Sequence, residues 1–249
     1  MSKWLEGRVV ANRRWTETLF SLRVELGTNA PRLAFEAGQF VRIALDLGGE
    51  RVARPFSFVN PPEDTVLEFY GVIVPEGPLS PRLAKLEAGD PLFVADNPSG
   101  FLVLSEVPAA EDLWLVATGT GIAPFLSILR SEDAWQRYRR VILVHAARYA
   151  KELVYRDLID EIRTRRNRLE YITFVSREHA PGTLAGRVPA AIRDGRLEKA
   201  AGPICAERSQ LMLCGNPQML KDVAAALAER GLKKHRRRSP GQITVESFW

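Results

Sequence analysis

Cysteine and histidine are scarce in this chain of 249 residues: only Cys205, Cys214, His145, His179 and His235 occur. They do not cluster at metal-ligand spacing, so the sequence predicts no metal site and no disulfide framework, and the cytoplasm is the default compartment. No apolar run approaches the roughly 18 residues needed to span a membrane, so no membrane association is expected. The first residues, Met1-Ser2-Lys3-Trp4-Leu5-Glu6-Gly7, carry neither an apolar stretch nor a cleavage site, which predicts no signal peptide. Internal repeats and low-complexity tracts are absent as well. What remains is the composition of a folded globular protein, 46% hydrophobic and 26% charged, long enough for two small domains or one large one.

The charge balance is basic, +5 overall. Much of the excess sits in Arg163, Arg165, Arg166 and Arg168 and in the run Lys233-Lys234-His235-Arg236-Arg237-Arg238. Such clusters read first as a solvated helix face and a basic loop. Anionic partners (a nucleotide, an acidic protein, a nucleic acid) are the sharper readings, and charge alone does not choose among them.

The first hundred residues divide into short segments rich in Val, Phe and Ile, separated by Gly, Pro, Asn and Asp. They predict strands over Gly7–Val10, Leu19–Leu26, Phe40–Ala44, Ser57–Asn60, Leu67–Val74 and Leu92–Ala95. One helix interrupts them, with Ser80 as N-cap, Pro81 at the first helical position and Leu83 and Leu86 at helical spacing. Strands of even size without intervening helices imply an antiparallel barrel. After Pro108 the rhythm changes. Strands are expected at Leu113–Ala117, Val141–Ala146, Leu169–Val175, Gln210–Cys214 and Thr244–Phe248, with helices at Pro124–Arg130, Glu152–Arg166 and Pro217–Glu229. Alternation of this kind implies a parallel sheet covered on both faces. The fold class is therefore β followed by α/β: a six-stranded antiparallel barrel over residues 1–104 and a Rossmann-like parallel-sheet domain over residues 105–249.

Strand Leu113–Ala117 runs into Thr118-Gly119-Thr120-Gly121-Ile122-Ala123-Pro124. Glycines at a strand-to-helix turn let backbone N–H groups approach a phosphate, and the helix dipole adds to the attraction. Pro124 stands where a third glycine would complete the dinucleotide fingerprint, and the missing Lys excludes an ATP-type phosphate loop. The bland alternative is a plain tight turn. The next turn is Ala147-Arg148, a cation where an NAD site carries an acidic residue for the ribose hydroxyls; arginine there suits a 2′-phosphate. Ser176-Arg177 follows the next strand, and Arg187 follows Gly186. Unrelated surface arginines explain any one of these well, and all three poorly.

In the first half, Arg54-Pro55-Phe56-Ser57-Phe58 breaks the alternation. Beside a nucleotide domain this makes chemical sense: Phe56 can stack on a flavin ring, Arg54 can neutralise its pyrophosphate, and Ser57 can hydrogen-bond the ring edge that receives hydride.

These segments together resemble the ferredoxin–NADP⁺ reductase superfamily. Arg54-Pro55-Phe56-Ser57 is similar to its flavin motif, Gly119-Thr120-Gly121-Ile122-Ala123-Pro124 to its nicotinamide-domain loop, and Leu213-Cys214-Gly215-Asn216-Pro217-Gln218-Met219 to its Cys-Gly segment. Val245-Glu246-Ser247-Phe248-Trp249, with the arginines, resembles the NADPH-using bacterial flavodoxin/ferredoxin reductases. The resemblance implies FAD and NADP(H) as cofactors. It implies FAD contacts by Arg54, Pro55, Phe56 and Ser57, by the main chain of Tyr70, Gly71 and Val72, by Pro78, Leu79 and Ser80 at the pyrophosphate, and by Thr120. Phe248 would cover the second flavin face and Trp249 the adenine side. Arg148, Ser176, Arg177 and Arg187 would hold the 2′-phosphate, with Ala147, Gly215 and Asn216 at the coenzyme. Ser57, Cys214 and Glu246 would stand at the reacting ring edge. Phe56 and Phe248 replace tyrosines common in the subclass, so ring hydroxyls are not essential here, while Pro55 stiffens the flavin motif.

The resemblance implies hydride transfer between NADPH and FAD and single-electron exchange with ferredoxin or flavodoxin, carriers acidic as a class. The partners expected are those carriers, with no nucleic acid and no membrane, and the chain is expected to be a monomer. A related flavin or quinone reductase is the alternative within the superfamily. A basic nucleic-acid-binding protein is the alternative outside it, weakened because the cationic runs are not interleaved with aromatics. Taken bare, Cys214 is core filler, Glu246 a surface carboxylate and His145 a satisfied core histidine.

Overall fold

The computed structural model describes residues 3–247, which form two sheets in series. The first contains β1 (Trp4–Arg14), β2 (Leu19–Leu26), β3 (Phe40–Leu47), β4 (Glu50–Ser57), β5 (Val66–Val72) and β6 (Pro91–Ala95), with the short helix α1 (Ser80–Leu83) before β6. The strands are antiparallel in the order β4-β3-β6-β1-β2-β5. The sheet curls so that its two edges meet at the bridge between Phe58 and Phe69, where Val59 N–H donates to the Glu68 carbonyl at 2.8 Å. Phe20, Leu22, Val24, Val41, Ile43 and Phe58 fill the interior.

Two expectations for this half need correction. The strand expected at Ser57–Asn60 lies earlier, at Glu50–Ser57. Its residues are mostly exposed or half-buried because β4 is an edge strand, so no apolar alternation announces it. Edge position also explains how Pro55, which has no N–H, is tolerated opposite Arg42. The turn before it, Gly48-Gly49, has φ of 61° and 88°, positive at both positions as a two-residue hairpin turn requires. Ser80 is not an N-cap: Leu79 occupies that place, and the Ser80 hydroxyl instead accepts from Val74 N–H at 2.9 Å.

The second sheet is parallel throughout. It contains β7 (Asp112–Thr118), β8 (Arg140–Ala147), β9 (Leu169–Val175), β10 (Leu184–Ala185), β11 (Ser209–Gly215) and β12 (Ile243–Ser247), in the order β10-β9-β8-β7-β11-β12. Between them lie α2 (Ala123–Arg130), α3 (Asp133–Arg137), α4 (Arg156–Arg165), α5 (Val188–Arg193), α6 (Arg196–Ala201) and α7 (Pro217–Ala228). From Asp112 to Ala117, β7 is buried, as a central strand covered on both faces must be. The helix expected from Glu152 begins only at Arg156, because a tight turn at Ala150–Glu152 and a left-handed residue at Tyr155 precede it. α3, α5, α6 and β10, each six residues or fewer, were not expected; they are too short to show a period.

Helix α2 is apolar and buried from Ala123 to Leu129 because it lies between the two halves. Ser127 Oγ donates to the Asn60 carbonyl at 2.7 Å, and Arg130 pairs with Asp64 at 2.8 Å. Among the described residues no helix is long and apolar enough to cross a membrane.

Candidate functional site

In an open parallel sheet, a crevice forms at the C-terminal strand ends where the strand order reverses, here around β7. The turn leaving β7 owes its shape to its glycines. Gly119 has φ 53°, a left-handed conformation that favours glycine. Gly121 answers to a different constraint: a Cβ there would lie 2.6 Å from the Cys214 carbonyl carbon. On the opposite side, Gly215 has φ 135°, and its Cβ would lie 2.7 Å from the Thr118 carbonyl oxygen. The ends of β7 and β11 are thus pressed backbone to backbone, and Asn216 N–H donates to Thr118 Oγ1 at 3.0 Å. Gly121 serves this packing rather than an open approach to a phosphate.

Asn216 is the N-cap of α7, its Oδ1 accepting from Gln218 and Met219 N–H at 3.0 and 3.2 Å. Replacing it with Ala should lower unfolding stability by about 1 kcal/mol in denaturant titrations without coenzyme. Unchanged stability would mean that the cap is energetically idle.

The arginines after β8, β9 and β10 stand on three adjacent strands at the same sheet edge. Backbone bonds continue past the strand ends: Ser176 N–H reaches the Ala147 carbonyl at 3.1 Å, Arg177 N–H the Arg148 carbonyl at 2.9 Å, and Gly186 N–H the Val175 carbonyl at 3.0 Å. Their side chains differ in state. Arg148 is held by Glu152, Nη2 to Oε1 at 2.8 Å, while Glu152 Oε2 accepts the Arg148 N–H at 3.0 Å. Arg177 and Arg187 are exposed, and neither guanidinium has a hydrogen bond or ion pair among the described residues. Ser176 is exposed beside them, with its hydroxyl 3.3 Å from the Ala147 carbonyl. Glu152 did not stand out in the sequence; its spacing of four from Arg148 was the available signal.

Ser57, Cys214 and Glu246 lie on three distant segments, which Phe40, Ser99 and Gly100 link. Cys214 and Glu246 are register partners on β11 and β12. Ser57 pairs with Phe40, which bridges to Ser99 by two 2.9 Å bonds. The next residue, Gly100, joins the two sides: a Cβ there would lie 3.0 Å from Glu246 Oε2 and 3.2 Å from the Phe40 ring. Phe101 N–H then donates to Glu246 Oε2 at 3.3 Å. Burial pushes the Glu246 carboxyl up to about 7, against the pull of the Phe101 and Leu102 N–H groups. Burial, and then the neighbouring Glu246 charge, push the Cys214 thiol well above its ordinary range, so it stays protonated. Ser57 Oγ and Glu246 Oε1 are buried without hydrogen-bond partners. Both are left able to hydrogen-bond a polar group from outside the described residues. Phe101 and Gly100 carry no local sequence signal for this role.

On the barrel side, the Phe56 ring lies against Gly71, where a Cβ would come within 2.8 Å of it. Past the Phe58–Phe69 bridge, no described strand continues along the outer edge of β5, on which Tyr70, Gly71 and Val72 lie. The Tyr70 side chain itself is buried, with its hydroxyl unpartnered and burial pushing its pKa upward. Arg54 is exposed, its Nη1 on the Ala53 carbonyl at 2.7 Å. Leu79 is core, the Pro78 carbonyl accepts from Arg82 at 2.6 Å, and Thr120 is half-buried in the turn that packs against β5. Phe248 and Trp249 lie outside the described residues. His145 is buried and held neutral by desolvation, its pKa lowered to about 3, with Nδ1 3.1 Å from the Tyr171 hydroxyl.

Residues 115–225 match the family model of the oxidoreductase NAD-binding domain. Over the full length of both proteins, the chain is 49% identical to the flavodoxin/ferredoxin–NADP reductase of Escherichia coli. It is 37% identical to the ferredoxin–NADP reductase of Pseudomonas aeruginosa, covering 99% of this chain and 98% of that one. A ferredoxin NADP⁺ reductase from Neisseria gonorrhoeae, crystallised with bound FAD and NADP, superimposes with a TM-score of 0.93 at 31% identity over all of both chains. With the strand-order reversal at β7, the arginine edge and full-length likeness in agreement, the chain belongs to the flavodoxin/ferredoxin–NADP reductase family.

Proposed function

We propose that this protein is an FAD-dependent reductase that moves a hydride between NADPH and the flavin, and single electrons between the flavin and a ferredoxin or flavodoxin. What supports this reading is the link between the two sheets at Gly100: it lies against Phe40, the pairing partner of Ser57, and against Glu246, the pairing partner of Cys214, with Ser57 Oγ and Glu246 Oε1 both buried and unpartnered. FAD, when bound, supplies the ability to accept a hydride and release electrons singly.

The chain's own residues do the rest. Arg54 offers positive charge for the pyrophosphate, with Pro78, Leu79 and Ser80 at the start of α1 and Thr120 opposite. Phe56 offers a ring face, and the family resemblance assigns main-chain contacts to Tyr70, Gly71 and Val72 at the end of β5. Ser57 Oγ supplies a hydrogen bond at the reacting edge, and Glu246 Oε1 a second polar atom. Cys214 adds a neutral thiol that carries no competing charge. Arg177 and Arg187 are free to take a 2′-phosphate, with Arg148 and Ser176 beside them and Ala147, Gly215 and Asn216 lining the coenzyme path. Phe248 and Trp249 lie outside the described residues, and the family resemblance alone assigns them the second flavin face and the adenine side. The same reading divides the chain at residues 104 and 105 into FAD and NADP(H) domains, and makes it a cytoplasmic monomer without nucleic-acid or membrane partners.

The test is direct. Purified protein supplied with FAD should retain the yellow flavin through gel filtration and lose flavin absorbance on anaerobic addition of NADPH. Protein that stays colourless, or flavin that NADPH leaves oxidised, rejects the reading.

Charge steering should also be visible. The basic surface attracts acidic carriers, and screening reaches about 8 Å at physiological ionic strength. Carrier-dependent turnover should therefore fall with added salt much more steeply than ferricyanide reduction at saturating NADPH. Parallel salt curves would count against a charge-steered partner.

A further inference from the structure

Outside the site, one carboxylate ties the two halves together. Glu68 lies on β5, two residues before Tyr70. Its Oε1 accepts from the Tyr155 hydroxyl at 2.9 Å, and its Oε2 lies 3.5 Å from Arg130 Nη1. Arg130 ends α2, the helix that follows the Gly119–Ile122 turn, and also reaches Asp64 at 2.8 Å and the Val59 carbonyl at 3.3 Å. Asn60 completes the ring of bonds: its Oδ1 accepts from Glu68 N–H at 2.7 Å, while its carbonyl accepts from Ser127 Oγ at 2.7 Å.

Tyr155 is held there against its own backbone preference. Its φ of 61° makes it the one non-glycine residue with positive φ among those described. A bulky aromatic residue adopts this conformation only where its surroundings over-determine it. The ring lies 4.7 Å from Trp15 and meets Tyr70 edge-on at 5.4 Å, so its neighbours belong to the barrel. A cavity of about 360 Å³, lined by Trp15, Ser21, Glu68, Tyr155 and Leu158 among others, adjoins the ring. The ring is buried in the core between the two halves, and its hydroxyl, at the edge of this cavity, is tied to Glu68 with Ser21 beside it.

The geometry points to Glu68, Arg130 and Tyr155 as positioning residues: we propose that they form a rivet fixing the strand that carries Tyr70-Gly71-Val72 against the coenzyme-side turn and the segment after Arg148. This rests on the function proposed above. A hydride donor and acceptor must meet at near-contact distance, and misplacement by about 1 Å can cost roughly a hundredfold in rate. None of the three residues reaches the junction at Gly100, so the effect passes through placement of the two halves.

The experiment uses the FAD-loaded full-length protein and the variants Glu68→Gln, Tyr155→Phe and both together. Four quantities are measured: FAD affinity, affinity for adenosine 2′,5′-bisphosphate (which has the 2′-phosphate and no nicotinamide), the long-wavelength charge-transfer absorbance on adding NADP⁺, and the single-turnover rate of flavin reduction by NADPH. In Glu68→Gln the two affinities should stay within about twofold of the parent. Its charge-transfer band should weaken, and its reduction rate should fall roughly ten- to a hundredfold. Tyr155→Phe should shift the same two quantities in the same direction, and the double variant should lose less than the sum of the two.

An unchanged band and rate in the variants overturn the rivet, and so does a parallel loss of all four quantities, which would mark general destabilisation. Tyr155→Phe removes a single oxygen atom and decides the matter alone if Glu68→Gln does not fold. The parent protein separates the two readings: a parent flavin that NADPH does not reduce removes the proposed function, whereas a normal parent with unaffected variants removes only the rivet.

Discussion

Replacing Arg177 with Gln should raise the KM for NADPH by about 10- to 150-fold while leaving NADH turnover nearly unchanged. A charge-assisted hydrogen bond contributes roughly 1.5–3 kcal/mol, and each 1.4 kcal/mol is tenfold in affinity. NADH lacks the 2′-phosphate, so it has no such bond to lose. The tertiary structure also ranks the arginines. Arg148 is already paired with Glu152 at 2.8 Å, so a phosphate must share it, whereas Arg177 and Arg187 are exposed without partners among the described residues. Neutralising Arg177 should therefore cost more than neutralising Arg148. Steady-state kinetics with both coenzymes check this. Equal losses for NADPH and NADH would make Arg177 structural.

Glu246→Gln should stabilise the protein at alkaline pH and impair its chemistry. In the folded chain the carboxyl is pushed by burial from 4.5 up to about 7. Between these values the folded state holds a proton that the unfolded state has released. Stability owed to this group is therefore fully present below pH 4.5, falls as pH rises toward 7, and stays low above. At about 1.4 kcal/mol per pH unit, keeping the ionised form buried costs about 3 kcal/mol. The neutral amide avoids that cost, so the variant should gain about that much at pH 8 and almost nothing at pH 4.5. Flavin reduction by NADPH should slow, and the parent's change in rate near pH 7 should be flattened. Denaturant titrations at the two pH values and a pH–rate profile check both parts. A variant no more stable than its parent at pH 8, with the same profile, would show that Glu246 is neither strained nor functional. A residue kept at a cost to stability is what a working site is expected to contain.

Particular residues show why some of this was legible before the fold was known. Leu19–Leu26 and Leu169–Val175 carry their strand signal in their own side chains, and both bounds agree with the structure. The turns at Gly119 and Arg148 follow strands recognisable in the same way, which placed cations at successive strand ends. β4 was missed because an edge strand with little buried surface has no face to alternate. Ser80 was misread because its hydroxyl has a competing partner in Val74, which no local rule anticipates.

What the sequence alone determined is therefore local: two halves of different periodicity, a glycine turn leading into a helix, arginines after two strands and after Gly186, and the motif order. Such features depend on residues a few positions apart, and periodicity and turn chemistry report them. The tertiary structure alone decided the rest. The Glu246 carboxylate meets Phe101 across 145 positions, and its raised pKa follows from burial that only folding creates. Gly121 is glycine because the backbone of Cys214 lies against it, and Tyr155 takes a left-handed backbone among a carboxylate and aromatic rings supplied by the other half of the chain. Contacts between distant segments set dielectric, proximity and strain, and none of these is written in neighbouring residues.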